Sequence, residues 1–377
     1  MKLLFKYGEL VNTRLFVNRT EERKRLTENL KGGLSTMLIS SRRWGKSSLV
    51  RQVATDVEDE NICFCFIDLF HIKDEEEFYQ VLAKEIIKTT SSKMEEWINI
   101  SKDFLQKVKP KISLGIDPLN DFEISFDTQQ VETNYREILD LAEKIAQQKK
   151  IRIVICIDEF QNLSRFNDPL LFQQRLRASW QHHSNVSYCL YGSKKHMMLD
   201  IFENKNMPFY KFGDVMFLEK ISTEHWVKFI QKQFKASKKE INKELATAIV
   251  DAVKNHSYYV QQLAHLVWIR TDKKVTKSLF DLAVNDLLAQ NSILFNREIE
   301  HLSNTQISFL EALVNGEEKF HSSKIIAKYK LGSSSNVTQI KDALEKKEII
   351  DTLLPKLDLI DPVFDLWLKE RYFQKKH

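Results

Sequence analysis

The sequence predicts an α/β fold built on a parallel sheet, continued by a helical unit and closed by a C-terminal winged helix. Three observations predict it. Up to about Leu218, short apolar runs alternate with helical patterns, and strands separated by helices give a parallel sheet with crossover connections, covered on both faces. From Ser222 to Glu300 the apolar period is almost wholly helical. From Leu302 onward, three short helical patterns lead into EIIDTLLPKLDLID, Glu348 to Asp361, which reads as a two-stranded wing.

The elements follow in order. LSTMLIS, Leu34 to Ser40, is a buried strand, and a helix runs from Ser47 to Asp56. NICFCFIDLF, Asn61 to Phe70, is the second strand, followed by a helix from Glu75 to Thr90. IRIVICID (Ile151 to Asp158), VSYCLYGS (Val186 to Ser193) and DVMFLE (Asp214 to Glu219) complete the sheet. Between the second and third strands, KISLGIDPLNDFEISFD, Lys111 to Asp127, alternates around Pro118 and Asn120 as an inserted hairpin would.

Composition sets the outer limits. The chain has 377 residues, 43% of them hydrophobic and 24 of them Phe, which is ample for the cores of two or three domains. The net charge of +5 permits nucleic-acid contact without arguing for it. Cys63 and Cys65 point to the same side of one strand and read as buried thiols, and the ten His residues have no metal-ligand spacing. No apolar run reaches transmembrane length and Lys6 interrupts any signal-like core, so the expectation is a cytoplasmic protein with no membrane partner.

Chemistry enters at ISSRRWGKSSLV, Ile39 to Val50. It fits the phosphate-binding pattern GxxxxGK[ST] at Gly45, Lys46 and Ser47, while Ser40 stands at the first glycine position. A strand before and a helix after are the context such a loop needs. Backbone N–H groups of Ser41, Arg42, Arg43 and Trp44, with the helix N-terminus, would surround phosphates. Lys46 would contact the β and γ oxygens, Ser47 would ligate Mg²⁺, and Ser48 would add a contact to the α phosphate. Arg42 and Arg43 could face phosphates, a partner domain or solvent. A second motif supports the first. In IVICIDEFQNL, Ile153 to Leu163, a buried strand delivers Asp158 and Glu159 to the carboxyl edge of the sheet, where ligands bind in open α/β folds. Asp158 is placed to hold Mg²⁺ through water and Glu159 to deprotonate an attacking water. Gly192 and Ser193 end the fourth strand on the same edge and read either as a γ-phosphate sensor or as a turn. Asp68 ends the second strand and reads as a helix cap.

Together these segments resemble the archaeal-type branch of the STAND P-loop ATPases, relatives of the AAA+ and origin-recognition ATPases. The resemblance also covers FVNRTEERKRL from Phe16, YGSKKHMM from Tyr191, NMPFYKF from Asn206, YYVQQLAHLVW from Tyr258 and DPVFDLWL from Asp361. It implies a P-loop NTPase core of the ASCE type over 1–220, an all-helical lid over 221–300 and a winged helix over 301–377. With the two motifs, the expected ligands are ATP and Mg²⁺, and the preferred reading of the activity is a slowly hydrolysing switch whose nucleotide state positions the winged helix. The resemblance places Asn18 and Arg19 near the adenine, Ser193 at the sensor position, and Tyr258 and Tyr259 where a lid reaches nucleotide; Lys211 neighbours a position often held by arginine. Three departures stand out. Ser40 replaces a glycine, which strains the loop if φ is positive there. Asn255, His256 and Ser257 replace a Gly-x-Pro element. Relatives often continue into a nuclease-like domain, whereas this sequence stops just after its winged helix.

The competing reading is a DNA-binding regulator with a mainly structural nucleotide site. Its recognition helix would be SSNVTQIKDALEKK from Ser334, offering Asn336, Thr338, Gln339, Lys341, Lys346 and Lys347 to bases or phosphates. Against it, residues 302–377 hold 12 basic and 11 acidic side chains, a weak electrostatic footprint. Duplex DNA, a docked protein and a second copy of the chain all stay open as partners. A nuclease activity ranks low, because no carboxylate-rich cluster with a lysine follows the core.

Overall fold

In the computed structural model, which describes residues 4–8, 16–57, 61–91, 102–114, 122–353 and 356–374, the chain divides into two compact units. Arg19–Glu219 forms one, and Met1–Asn18 together with Lys220–His377 the other.

The first unit is built on five strands: β1 (Thr36–Ile39), β2 (Ile62–Asp68), β5 (Arg152–Asp158), β6 (Val186–Gly192) and β7 (Asp214–Phe217). They pair in parallel in the order β2-β5-β6-β1-β7. Strand β6 is buried along its whole length, which explains its mostly apolar sequence, Ser187 apart. The inserted hairpin is present as β3 (Lys111–Leu114) and β4 (Phe122–Ser125), antiparallel; its tip, 115–121, lies outside the described residues. The unit's helices are α1 (Thr20–Lys31), α2 (Lys46–Asp56), α3 (Glu75–Thr90), α4 (Lys102–Val108), α5 (Thr128–Leu139), α6 (Leu141–Lys149), α7 (Pro169–Trp180) and α8 (Lys195–Glu203).

Alternation along the strands sorts the helices between two faces. Ile153, Ile155 and Ile157 share a core with Phe78, Leu82, Ala142 and Leu176 of α3, α6 and α7. The opposite face carries α1 and α2: Ser187 Oγ donates to Leu30 O, and the Arg51 guanidinium lies 3.6 Å from the centre of the Phe66 ring. The carboxyl ends of the strands therefore form one edge, with Ile39 beside Gly192 and Asp68 beside Asp158. Strand β6 stands between the strand that precedes the phosphate loop and the strand that carries the carboxylates, as an ASCE-type core requires.

In the second unit, α9 (Thr223–Ala236), α10 (Lys243–Ala252), α11 (Ser257–Arg270) and α12 (Lys277–Glu300) are followed by α13 (Asn304–Val314), α14 (Ser323–Lys328), α15 (Ser334–Lys346), the wing β8 (Ile350–Asp351) and β9 (Asp358–Leu359), and α16 (Pro362–Trp367). One apolar core runs through all of it, from Trp226 and Leu263 through Leu287 and Phe309 to Leu344 and Trp367. Polar ties cross the same ground. Lys254 Nζ lies 2.7 Å from Asp358 Oδ1 on the wing and 2.9 Å from Asp365 Oδ2 on α16. Residues 4–8 pack on this unit, although the sequence places the start of the chain with the sheet: Phe5 is fully buried beside Phe229 and Phe234, and Lys6 N donates to Gln261 Oε1 at 3.0 Å. Among the described residues, no helix is long and apolar enough to cross a membrane.

Candidate functional site

The loop between β1 and α2 turns through two left-handed residues, Arg43 (φ 60°) and Gly45 (φ 96°). Nothing lies within 4 Å of a Cβ built on Gly45, so backbone conformation rather than crowding calls for glycine there. Ser40 is not among the positive-φ residues, and the strain expected from its missing glycine is absent. The tight geometry sits farther along the loop. Ser40 is buried instead, with its Oγ donating to Ser41 O at 3.1 Å.

Lys46 is buried at the first turn of α2, and its Nζ donates to the carbonyls of Ser40 and Ser41, both at 3.1 Å. Burial pushes its ammonium down to about 8, against the pull of Glu159 and Asp158. A desolvated cation on neutral carbonyls gains strongly from an anionic oxygen. Ser41, Trp44 and Ser48 are buried, while Arg42 and Arg43 are exposed. Arg19, expected beside adenine, is buried and turned onto protein atoms: its guanidinium donates to Glu22, to Glu219 O and, at 3.2 Å, to Trp44 O. It braces the phosphate loop from behind. Asn18 precedes it with φ 51°.

The carboxylates arrive from β5. Asp158 Oδ2 accepts from Ser47 Oγ at 2.6 Å, and Oδ1 accepts from Glu159 N at 2.8 Å. Burial raises Asp158 to about 6, with Glu159 adding to the rise and the Ser47 hydroxyl opposing it. Glu159 leaves the strand in a left-handed conformation (φ 51°), and its Oε2 accepts from Ser193 Oγ at 2.9 Å and from Gln161 Nε2. Ser47 and Asp158 offer an all-oxygen, anionic donor pair, which fits a hard cation such as Mg²⁺ that keeps several waters. Asp68 takes a turn role, accepting from Phe70 N at 2.9 Å.

Loop, metal-type oxygens, acidic strand end and Ser193 thus meet at one sheet edge. The sequence matches the family model of an ATPase domain found predominantly in Archaea over residues 16–263, and a winged helix domain over 293–370. The chain belongs to this archaeal-type ATPase family. Among solved structures, it is similar to the Walker-type ATPase of Pyrococcus abyssi, at 19% identity and a TM-score of 0.68, over 97% of this chain and 99% of that one. It is also similar to the ORC2 protein of Aeropyrum pernix in its ADPNP–ADP complexes, at 13% identity and a TM-score of 0.57, over 99% of each chain. Both likenesses concern the fold. A search of curated proteins finds no match.

The other candidates of this ATPase have the following contacts. Tyr259 is buried within the second unit, where its hydroxyl donates to Asp361 Oδ2 at 2.5 Å. That hydroxyl therefore meets the residue that caps α16. In place of the family's Gly-x-Pro element, Asn255 takes a left-handed φ of 59° and its Nδ2 donates to Ile221 O and Thr223 Oγ1, both at 3.0 Å. Lys211 is paired with Glu203 Oε2 at 2.7 Å on the surface. On α15, Asn336 Nδ2 donates to Leu331 O at 2.6 Å and shapes the helix start, and Lys347 Nζ donates to His301 O at 2.5 Å. Thr338, Gln339 and Lys346 are exposed, Lys341 is half-buried, and Asp342 shares the exposed face. Sequence reasoning missed Gln161, and it missed Lys195, whose Nζ lies 5.2 Å from the centre of the Trp44 ring. Their only signal was position, just after Glu159 and just after Ser193.

Proposed function

We propose that this ATPase is a nucleotide switch, which binds Mg²⁺-ATP at residues 40–48, hydrolyses it slowly, and uses the nucleotide state to set the placement of its winged helix. The observation that carries the reading is the chain of contacts from Ser47 to Asp158 and from Glu159 to Ser193, which joins the loop to the ends of β5 and β6. In this reading, loop N–H groups of Ser41 to Ser48 hold the phosphates, and Lys46 leaves the Ser40 and Ser41 carbonyls for β and γ oxygens. Ser47 and Asp158 hold Mg²⁺, which when bound neutralises charge on the phosphate oxygens. Glu159 takes the proton of the attacking water, and Ser193 reports on the γ phosphate through the same carboxylate.

A switch must keep its ATP state long enough to engage a partner, so slow turnover belongs to the role. It also needs states that bind the partner differently. The proposed domains are the core over 19–219 and, in the second unit, which also takes in the N-terminal residues, the lid over 221–300 and the winged helix over 301–377. Lid helices and winged helix share one apolar core, which supports their moving as one body. The exposed face of α15 mixes Thr338, Gln339, Asp342 and Lys346, a charge-balanced surface that favours a protein partner over duplex DNA.

Calorimetric titration with Mg²⁺-ATP, run beside a turnover assay, tests the reading. Wild type binds, and at 100 times Kd the nucleotide stabilises the fold by about 2.7 kcal/mol. Lys46→Ala abolishes binding, whereas Glu159→Gln binds ATP without turning it over. A folded wild-type protein that ignores Mg²⁺-ATP would end the proposal.

A further inference from the structure

Glu159 is held by a residue of the second motif to which the sequence assigns no role. Gln161 lies on the 3-10 turn Phe160–Arg165 that follows β5, and its Nε2 donates to the same Glu159 oxygen that accepts from Ser193 Oγ. Its side chain is buried, 1% exposed. A carboxylate oxygen only accepts, so the amide must present its NH₂ group to Glu159, which turns the carbonyl the other way. That carbonyl, Gln161 Oε1, is buried with no hydrogen-bond partner among the described residues. An orphaned buried acceptor destabilises a fold, and an apolar side chain of the same length would avoid the cost. Stability alone therefore does not account for glutamine here.

Gly192 completes the arrangement. A Cβ at this position would stand 2.0 Å from Gln161 Oε1 and 2.6 Å from Met198 Sδ, so any other residue displaces the amide or the thioether. The glycine that ends β6 leaves the room in which Gln161 lies, and the next residue, Ser193, supplies the second donor. Two donors on one oxygen fix both the position and the rotation of the Glu159 carboxylate.

We infer that Gln161 is a positioning residue for ATP hydrolysis: with Ser193 it anchors Glu159 Oε2, leaving the other carboxylate oxygen to take the proton of the attacking water. This rests on the reading of Glu159 as the base. The sequence DEFQ thus carries the base and its anchor two residues apart, on a turn that brings the second side chain back onto the first.

The test is a set of four proteins, wild type, Gln161→Met, Glu159→Gln and the double variant, each assayed for ATP binding by calorimetry and for single-turnover hydrolysis. Methionine keeps length and burial and removes the donor. Gln161→Met is expected to bind ATP as wild type does and to hydrolyse it about tenfold more slowly, the equivalent of ~1.4 kcal/mol. In the Glu159→Gln background the same change has no further effect, because there is no base left to position. Gly192→Ala, which crowds the amide from outside, slows hydrolysis in the same way and decides the matter if Gln161→Met does not fold. Wild-type turnover in Gln161→Met or in a folded Gly192→Ala, with turnover abolished in Glu159→Gln, overturns the inference and leaves the base reading intact. A slowing that persists undiminished in the double variant also overturns it. Wild-type turnover in Glu159→Gln removes the base reading and the inference with it.

Discussion

A buried lysine and a half-buried aspartate stand at the phosphate loop, and both are held away from their usual ionisation. Asp158 is raised from 3.8 to about 6, chiefly by burial, so across that window the folded protein binds more protons than the unfolded chain. Its contribution to stability falls as pH rises through the window. Lys46 is lowered from 10.5 to about 8, again chiefly by burial, and between those values stability rises with pH. In the proposed reading Asp158 would hold the divalent cation, and for that it must be ionised. Stabilisation by Mg²⁺-ATP is therefore expected to be full near neutral pH and to shrink below about pH 6, while Asp158→Asn removes the acid-side slope from the nucleotide-free protein. Melting temperatures across pH 4–8 check both. A slope that survives Asp158→Asn unchanged would assign it to another group. The residues of this loop were legible because strand and helix patterns place them. The protein contacts of Arg19 and Tyr259 were not, because their partners come from far along the chain, Glu219 and Asp361. Only the folded chain brings such pairs together.

Among the elements, sequence pattern carried furthest where burial is uniform. The helix Glu75–Thr90 is where the apolar period puts it, with Asp74 accepting from Glu77 N at its start, and the strand expected from Ile151 begins at Arg152. The hairpin insert was legible from alternation, and both its strands are present. Glutamine at 161 was not legible, because a short 3-10 turn has no apolar period to reveal which side chains fold back. Of the six contact candidates the sequence offers along α15 and at its C-cap, two, Asn336 and Lys347, already serve carbonyls of the same unit. The remaining face has Asp342 between its lysines. Binding to duplex DNA, followed by anisotropy at two salt concentrations with ATP and with ADP, is accordingly expected to be weak. The triple alanine variant of Lys341, Lys346 and Lys347 should differ little from wild type. Tight binding that falls steeply with salt and is lost in the triple variant would replace the protein partner with DNA, since each neutralised phosphate releases counterions.

For the whole molecule, the informative feature is that the helices of 223–300, proposed as the lid, and the winged helix share one packed core, tied by Lys254 to Asp358 and Asp365 and by Tyr259 to Asp361. Removing either partner of such partly buried pairs costs a few kcal/mol, so these ties resist separation of lid from wing. A switch built this way has one moving part. Its signature is a pair of distances measured by spin labels or fluorophores, one from the ATPase unit to the winged helix and one from the lid to the winged helix. The Glu159→Gln protein is expected to hold ATP without hydrolysis, and its distances are compared with those of the ADP-bound protein. The first distance should change between the two nucleotides while the second stays constant. A core-to-wing distance that is the same with ATP and ADP would contradict the switch.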